Sequence, residues 1–363
     1  MGMTRVFAAA AIMAAGTTGA LAQDRVVNVY NWSDYIDDEI LADFTEETGI
    51  EVVYDVYDSN EMLETRLLAG GSGYDVVVPT TSFMARQIEA GVYQKLDKSK
   101  LPNLENMWDL ITERVAVFDP ENAYSVNYMW GTNGIGYNVD MVKERLGLET
   151  VDSWSVVFDP ENAEKLADCG IHFLDSPAEI FPAMLAYLGL DPTSSDPEDI
   201  AQAEEALMEI RPYVQKFHSS EYINALANGD ICLAIGYSGD VFQARDRAAE
   251  ADAGVEVGYA IPKEGTEMWF DQLVIPADAP NVDEAHEFIN YLMQPEVIAK
   301  ASNYVYYANG NEASQEFLVE DVISDPAIYP PAEAQETMFT KTPYDARTNR
   351  LVTRAWTRVK TGQ

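Results

Sequence analysis

The chain has 363 residues, 23 of them basic and 61 acidic, for a formal net charge of −38. That balance argues against nucleic acid and anionic lipid as partners and favours encounter with a cation. Its apolar and aromatic content, 47% and 11%, is that of a globular protein rather than a disordered one, and the length suits two domains. Most of the carboxylates read as the solvated surface of a salt-adapted protein, so only those at strand tips bear on a site.

Residues 1–22 read as a secretory signal. Arg5 gives a short positive region, residues 7–15 are apolar and alanine-rich, and Ala20-Leu21-Ala22 is a small-x-small site before Gln23. Cleavage is expected after Ala22, and the apolar run is too short to remain as a spanning helix. Export predicts a periplasmic location.

The mature chain opens on alternating strands and helices. Residues 26–30 form a β-branched strand that runs into Trp32, Ser33, Asp34 and Tyr35. A helix follows, with Ile36, Ile40, Leu41 and Phe44 at helical spacing and Gly49 as its stop. Residues 50–56 are the second strand, and Asp58 with Glu61 reads as a capping box for the second helix. Residues 74–78 are the third strand, closed by Pro79, and 82–89 the third helix. This βαβαβ order predicts a parallel sheet with right-handed crossovers. Residues 96–127 are irregular. Residues 128–138 read as a strand crossing to a second lobe, with Gly131 and Gly134 as hinge points.

The second lobe predicts a strand at 171–174, helices at 177–188, 199–217 and 222–228, a strand at 231–235 and a helix at 240–250. Residues 255–261 cross back. A strand at 268–275, a helix at 282–293 and a strand-like run at 301–305 follow. The predicted class is α/β with two lobes, each a mostly parallel sheet flanked by helices, and a cleft between them that closes by hinge motion. Residues 23–132 with 255–302 make lobe 1, and 133–254 with 303–363 make lobe 2.

In an exported chain the even pair Cys169 and Cys232 suggests a disulfide, closing a loop of roughly 60 residues. His172, His218 and His286 lack ligand spacing and are expected in packed or surface roles. No metal or cofactor is expected.

The residues that follow the predicted strands share one chemistry. They are Trp32, Ser33, Asp34 and Tyr35; Thr80, Thr81 and Ser82; Asp175, Ser176 and Glu179; Tyr237, Ser238 and Asp240; Trp269 and Asp271; and Tyr306 with Tyr307. Ligands of open α/β sheets bind at such tips. No lysine or arginine stands among them, which disfavours an anionic ligand. A buried ammonium must be paired and hydrogen-bonded, which carboxylates do. Ring faces wall the methylenes and add about 0.5–2 kcal/mol each by cation–π attraction. A slot of this kind selects a linear diamine or longer polyamine.

The chain resembles the periplasmic polyamine-binding proteins of ABC importers, nearest the putrescine-binding branch. The resemblance covers nearly the whole mature chain and is carried by YNWSDY (30–35), YDVYDSNEMLE (54–64), YDVVVP (74–79), SFMARQIEAGVYQKLDKSKLPN (82–103), IGYNVD (135–140), FHSSEYINALANGDIC (217–232), PKEG (262–265) and YPPAE (329–333). It implies a type II solute-binding fold, a disulfide between Cys169 and Cys232, a polyamine ligand and a membrane permease as partners, and a monomer. The implied ligand residues are Trp32, Ser33, Asp34, Tyr35, Thr80, Ser82, Glu179, Tyr237, Asp240, Trp269, Asp271 and Tyr307. Tyr237 departs from the branch's tryptophan. Trp269 replaces its phenylalanine, as in spermidine-preferring relatives, which leaves putrescine and spermidine both open. Two other readings compete: a hydrolase using paired acids such as Glu179 and Asp240, and a sensing protein that serves a chemoreceptor. G-x-S-x-G, H-E-x-x-H and CxxC motifs are absent, which speaks against an enzyme.

Overall fold

The computed structural model describes residues 25–252, 254–330, 337–341 and 344–363. The export signal and its cleavage site lie outside the described residues. The strands are β1 (Val26–Trp32), β2 (Glu51–Tyr57), β3 (Val76–Val77), β4 (Tyr93–Gln94), β5 (Ser125–Asn138), β6 (Ile171–Phe173), β7 (Lys216–Phe217), β8 (Leu233–Tyr237), β9 (Val257–Ala260), β10 (Met268–Pro276) and β11 (Ala308–Asn309). They follow the order β2-β1-β3-β10-β5-β8-β6-β7, with β4 beside β10 and both β9 and β11 beside β5. Flanking helices include α1 (Asp38–Thr48), α2 (Asn60–Leu68), α3 (Thr81–Glu89), α4 (Pro177–Tyr187), α5 (Pro197–Ile210), α6 (Tyr222–Ala227), α7 (Ser238–Glu250), α8 (Val282–Leu292), α9 (Pro295–Val305) and α10 (Ala346–Thr361).

Two lobes share β5. Its residues 125–132 pair antiparallel with β10, while residues 133–137 pair antiparallel with β8. In lobe 1, β1 lies parallel between β2 and β3. In lobe 2, β6 lies parallel between β7 and β8. Each lobe thus keeps a parallel run, β2-β1-β3 or β7-β6-β8, as the alternating pattern predicts, and adds antiparallel neighbours: β10 beside β3, and β5 beside both β10 and β8. One core joins Val27, Val29, Val76 and Ile275 to Phe288 and Ile289. The other joins Ile171, Phe173, Leu233 and Ile235 to Trp154, Leu207 and Trp356. Each large side chain so buried contributes about 1.5–3 kcal/mol.

Local chemistry explains the element ends. Asp37 caps α1 by accepting from the Glu39 N–H, and Gly49 closes it at φ 71°. The cap of α2 is Ser59, which accepts from the Met62 N–H, so the capping-box reading of Asp58 is corrected. The helix predicted over 199–217 stops at Ile210. Pro212 lacks an N–H to continue it, and Lys216–Phe217 instead extends the sheet beside β6. Residues 301–305, read as strand, end α9, whose first position is Pro295. α10 was not foreseen; it buries Val352, Ala355, Trp356 and Val359 against lobe 2. Gly131 and Gly134 sit within regular strand rather than at a break. A Cβ on Gly131 would meet Trp269 at 2.7 Å, so that glycine serves close packing.

Among the described residues, no helix is long and apolar enough to cross a membrane, and no histidine, cysteine and carboxylate cluster suits a metal. His286 accepts from the Asp97 N–H and His218 from the N–H groups of Ser220 and Glu221, which are structural roles.

Cys169 and Cys232, 63 positions apart in sequence, are joined in a disulfide. It ties the turn before β6 to the start of β8. Closing a loop of this length stabilises by about 4 kcal/mol in the chain-entropy model. The C169S/C232S double variant is therefore expected to unfold roughly 5–10 °C lower by circular dichroism. An unchanged midpoint would show that the crosslink contributes nothing net.

Candidate ligand-binding site

A cavity opens between the lobes where the strand tips meet. Lobe 1 lines it with Trp32, Ser33 and Tyr35 after β1, Tyr57 and Asp58 at the end of β2, Thr80 after β3, and Trp269 and Asp271 from β10. Tyr307, just past α9, completes that side. Lobe 2 adds Glu179 from the first turn of α4, Ser219 and Ser220 before α6, Tyr237 at the tip of β8 and Asp240 from the first turn of α7. Ten of the twelve expected residues thus share one cavity. Sequence reasoning missed Tyr57, Asp58, Ser219 and Ser220. The β2 tip was available as a signal, but Asp58 was taken for a cap.

Asp34 and Ser82 lie outside that lining. Asp34 adopts φ 53°, in the left-handed region. Its carboxylate accepts from Arg247 Nη2 at 2.9 Å, and its carbonyl accepts from Gln243 Nε2 at 3.1 Å. Both partners are on α7, so Asp34 bridges the lobes from outside the cavity. The pair is half-exposed and adds about 0–1 kcal/mol. Ser82 is buried beside a neighbouring cavity of about 470 Å³, and its hydroxyl has no hydrogen-bond partner.

Two carboxylates are buried with no cationic partner among the described residues. Asp271 accepts from the Tyr35 hydroxyl at 2.9 Å and from Thr80 Oγ1 at 2.6 Å. Asp240 accepts from the Tyr222 hydroxyl at 2.7 Å and the Tyr307 hydroxyl at 2.8 Å. The Asp240 N–H in turn donates to Tyr307 at 3.1 Å. Burial pushes both carboxyls up to about 7, against the pull of these hydroxyls. Glu179 differs. Burial pushes it up, but the Lys341 ammonium 2.7 Å away reverses the effect and holds it below the ordinary carboxylate range. Asp58 accepts from Ser33 Oγ at 2.7 Å.

The rings form a continuous wall. Trp32 lies 4.8 Å from Tyr57 and 6.3 Å from Tyr237; Tyr237 lies 5.9 Å from Trp269; and Trp269 lies 5.2 Å from Tyr307. Tyr35 stands edge-on to Tyr307 at 5.2 Å. The wall crosses from lobe to lobe at Tyr237. Trp32 is fixed by donating from Nε1 to the Val78 carbonyl at 2.9 Å. Gly239 lets the Tyr307 ring lie on the start of α7, because a Cβ there would meet it at 2.4 Å. Carboxylates beside ring faces can desolvate and hold an organic cation, and among the described residues no lysine or arginine lines this cavity to offer an anion a counter-charge.

Residues 39–330 match the family model described as bacterial extracellular solute-binding protein. The putrescine-binding periplasmic protein SpuD of Pseudomonas aeruginosa is 53% identical over 97% of both chains. The putrescine-binding periplasmic protein PotF of Escherichia coli is 50% identical, over 98% of this chain and 96% of that one. Among solved structures, the spermidine/putrescine ABC transporter substrate-binding protein PotD of Streptococcus pneumoniae superposes with a TM-score of 0.75 at 29% identity, covering 93% and 99% of the chains. These relatives are binding proteins rather than enzymes, which leaves the hydrolase reading without support. A type II two-lobed fold, a cleft walled by both lobes and similarity along the full chain place this protein in the family of bacterial extracellular solute-binding proteins.

Proposed function

We propose that the protein is the periplasmic binding component of a polyamine ABC importer, taking putrescine, spermidine or both, and that it acts as a monomer docking its closed form onto a membrane permease. One observation carries the reading. Asp240 and Asp271 are buried in a ring-walled cleft, and among the described residues each is held by hydroxyl donors and has no cationic partner. A ligand ammonium supplies that partner. The second ammonium of a diamine then meets Glu179 or Asp58 across the slot, with its methylenes along Trp32, Tyr237 and Trp269. The ligand favours closure because its contacts come from both lobes at once, so it binds the closed state better than the open one. The names of the relatives point to the same ligands.

Calorimetric titration of the mature protein with putrescine, cadaverine, agmatine, spermidine and spermine tests this. One-site saturable binding to at least one is expected. Asp271→Ala and Trp32→Ala should each weaken it by about 1–3 kcal/mol, the scale for losing a charged partner. Unchanged affinity in both variants refutes the site.

Proton linkage gives a second test. Both aspartates sit near 7 in the empty cleft, and a bound ammonium draws them back down. Binding at pH 6 should therefore release more than about one proton, read by titration in buffers of different ionisation enthalpy, and almost none at pH 9. Affinity rises with pH up to about 8 and then levels off. The empty protein behaves oppositely. These folded carboxyls titrate above their unfolded value, so their contribution to stability is full below pH ~4 and is lost as pH rises through about 7. Binding without proton release at pH 6 overturns the assignment of these two groups. Trp269→Phe should shift preference toward the shorter diamine; an unchanged spermidine-to-putrescine ratio contradicts that role.

A further inference from the structure

Asp271 sits at an irregular step in the central sheet. β10 pairs with β5 as Asp271↔Met129 and then as Gln272↔Asn127, so β5 carries one extra residue, Tyr128. Bulges of this kind bend a strand and re-aim its side chains. Tyr128 and Met129 are consecutive, yet both pack in the core that holds Trp269 and Tyr307, where regular alternation would put them on opposite faces. A one-residue slip exchanges the two faces of a strand. With the extra residue in place, Gly131 meets the Trp269 ring and Trp130 turns to the core on the other side. Tyr128 also props Tyr35: its hydroxyl donates to the Tyr35 carbonyl at 2.7 Å, and the two rings meet edge-on at 5.4 Å.

Asn127 holds the bulge together. Its side chain is buried, and Nδ2 donates both hydrogens across the step, to the Met129 carbonyl at 3.2 Å and the Asp271 carbonyl at 3.1 Å. Gly310 makes room for this amide, because a Cβ there would lie 2.3 Å from Asn127 Oδ1. The other edge of β10 is fixed by the bridge between Thr80 and Asp271 and by the Gln272 N–H, which donates to the Pro79 carbonyl at 3.0 Å. Asn127 Oδ1 is buried with no hydrogen-bond partner among the described residues, so stability alone does not account for an amide at this position. The carboxylate of an aspartate is one carbon from its backbone and moves with it. The amide that fixes the Asp271 carbonyl therefore fixes the place of its charge.

We propose that Asn127 is a positioning residue for ligand capture: it ties the bulge opposite Asp271 and thereby aims that carboxylate, with its donor Tyr35, into the cleft. The inference rests on the polyamine reading above and adds to it a residue that does not line the cavity.

The test measures putrescine and spermidine binding to the mature protein by calorimetry, with proton release read at pH 6. The variants are N127A, G310A, N127A/G310A, D271N, D240N and each aspartate variant combined with N127A. N127A should weaken binding about tenfold, the scale for two lost hydrogen bonds. G310A crowds the amide without removing it and should act in the same direction, with N127A/G310A no weaker than N127A. Adding N127A to D271N should weaken binding by less than about twofold, whereas adding it to D240N should weaken it by the full factor seen in wild type. Proton release in N127A should fall to the level of D271N. If N127A does not fold, G310A in the two aspartate backgrounds makes the same comparison. Wild-type affinity in folded N127A, or equal losses in the D271N and D240N backgrounds with proton release unchanged, overturns the role of Asn127. If wild type binds neither amine, the polyamine reading itself fails and Asn127 is not the cause.

Discussion

The structure is organised around two carboxylates buried in the cleft with no cation hydrogen-bonded to them among the described residues. A single ionised carboxylate in such a place is costly unless it is paired or hydrogen-bonded. Here the fold supplies phenols and a threonine hydroxyl: Tyr35 and Thr80 to Asp271, Tyr222 and Tyr307 to Asp240. These donors orient the oxygens and leave the charge unanswered. The empty site is thus partly protonated near neutrality and strained toward a guest that brings the missing positive charge. Stability given up in the empty protein becomes affinity when the guest arrives, as expected where a functional site breaks the rules that the rest of the chain obeys.

The rings act in concert with those acids. Tyr35 and Tyr307 are both wall and donor, so the same side chain lines the cavity and fixes a carboxylate. Their placement depends on absent side chains. Gly131 and Gly239 let Trp269 and Tyr307 lie directly on backbone, where any Cβ would push them off. The lobes then meet at the Trp32–Tyr237 ring pair and at Tyr307 on Gly239, with the Asp34–Arg247 pair as a weak outer clasp. Two of the twelve residues expected at the ligand, Asp34 and Ser82, belong to this periphery: one to the clasp, the other to the room behind Glu179.

Much of this was legible in residue order. The β-branched runs at 26–30 and 231–235 end in aromatic and acidic residues, and strand tips converge in an α/β sheet, so Trp32, Tyr35, Tyr237 and Asp240 could be gathered into one place before any coordinates. Local patterns misled where two physical roles use the same letters. Asp58 three residues before Glu61 looks like a cap, yet Ser59 does the capping and leaves Asp58 for the cleft. Residues 301–305 carry strand-like composition but lie downstream of Pro295, which starts a helix that carries through them. Lys341 was invisible for a different reason. It follows no strand and sits 162 positions from Glu179 in sequence, so only the tertiary fold could bring it there. Ser219 and Ser220 precede a short helix with no apolar period to flag them.

The shared strand β5 changes partners between Thr132 and Asn133, pairing with β10 before that peptide and with β8 after it. Twisting the chain at this joint leaves the ladders on either side intact. What separates on opening is ring against ring, the Tyr307–Asp240 and Gln243–Asp34 hydrogen bonds and one half-exposed ion pair, none of which belongs to a strand ladder. A guest that touches both walls adds its contacts to these, so the two halves come together as one shell around it without either sheet being rebuilt.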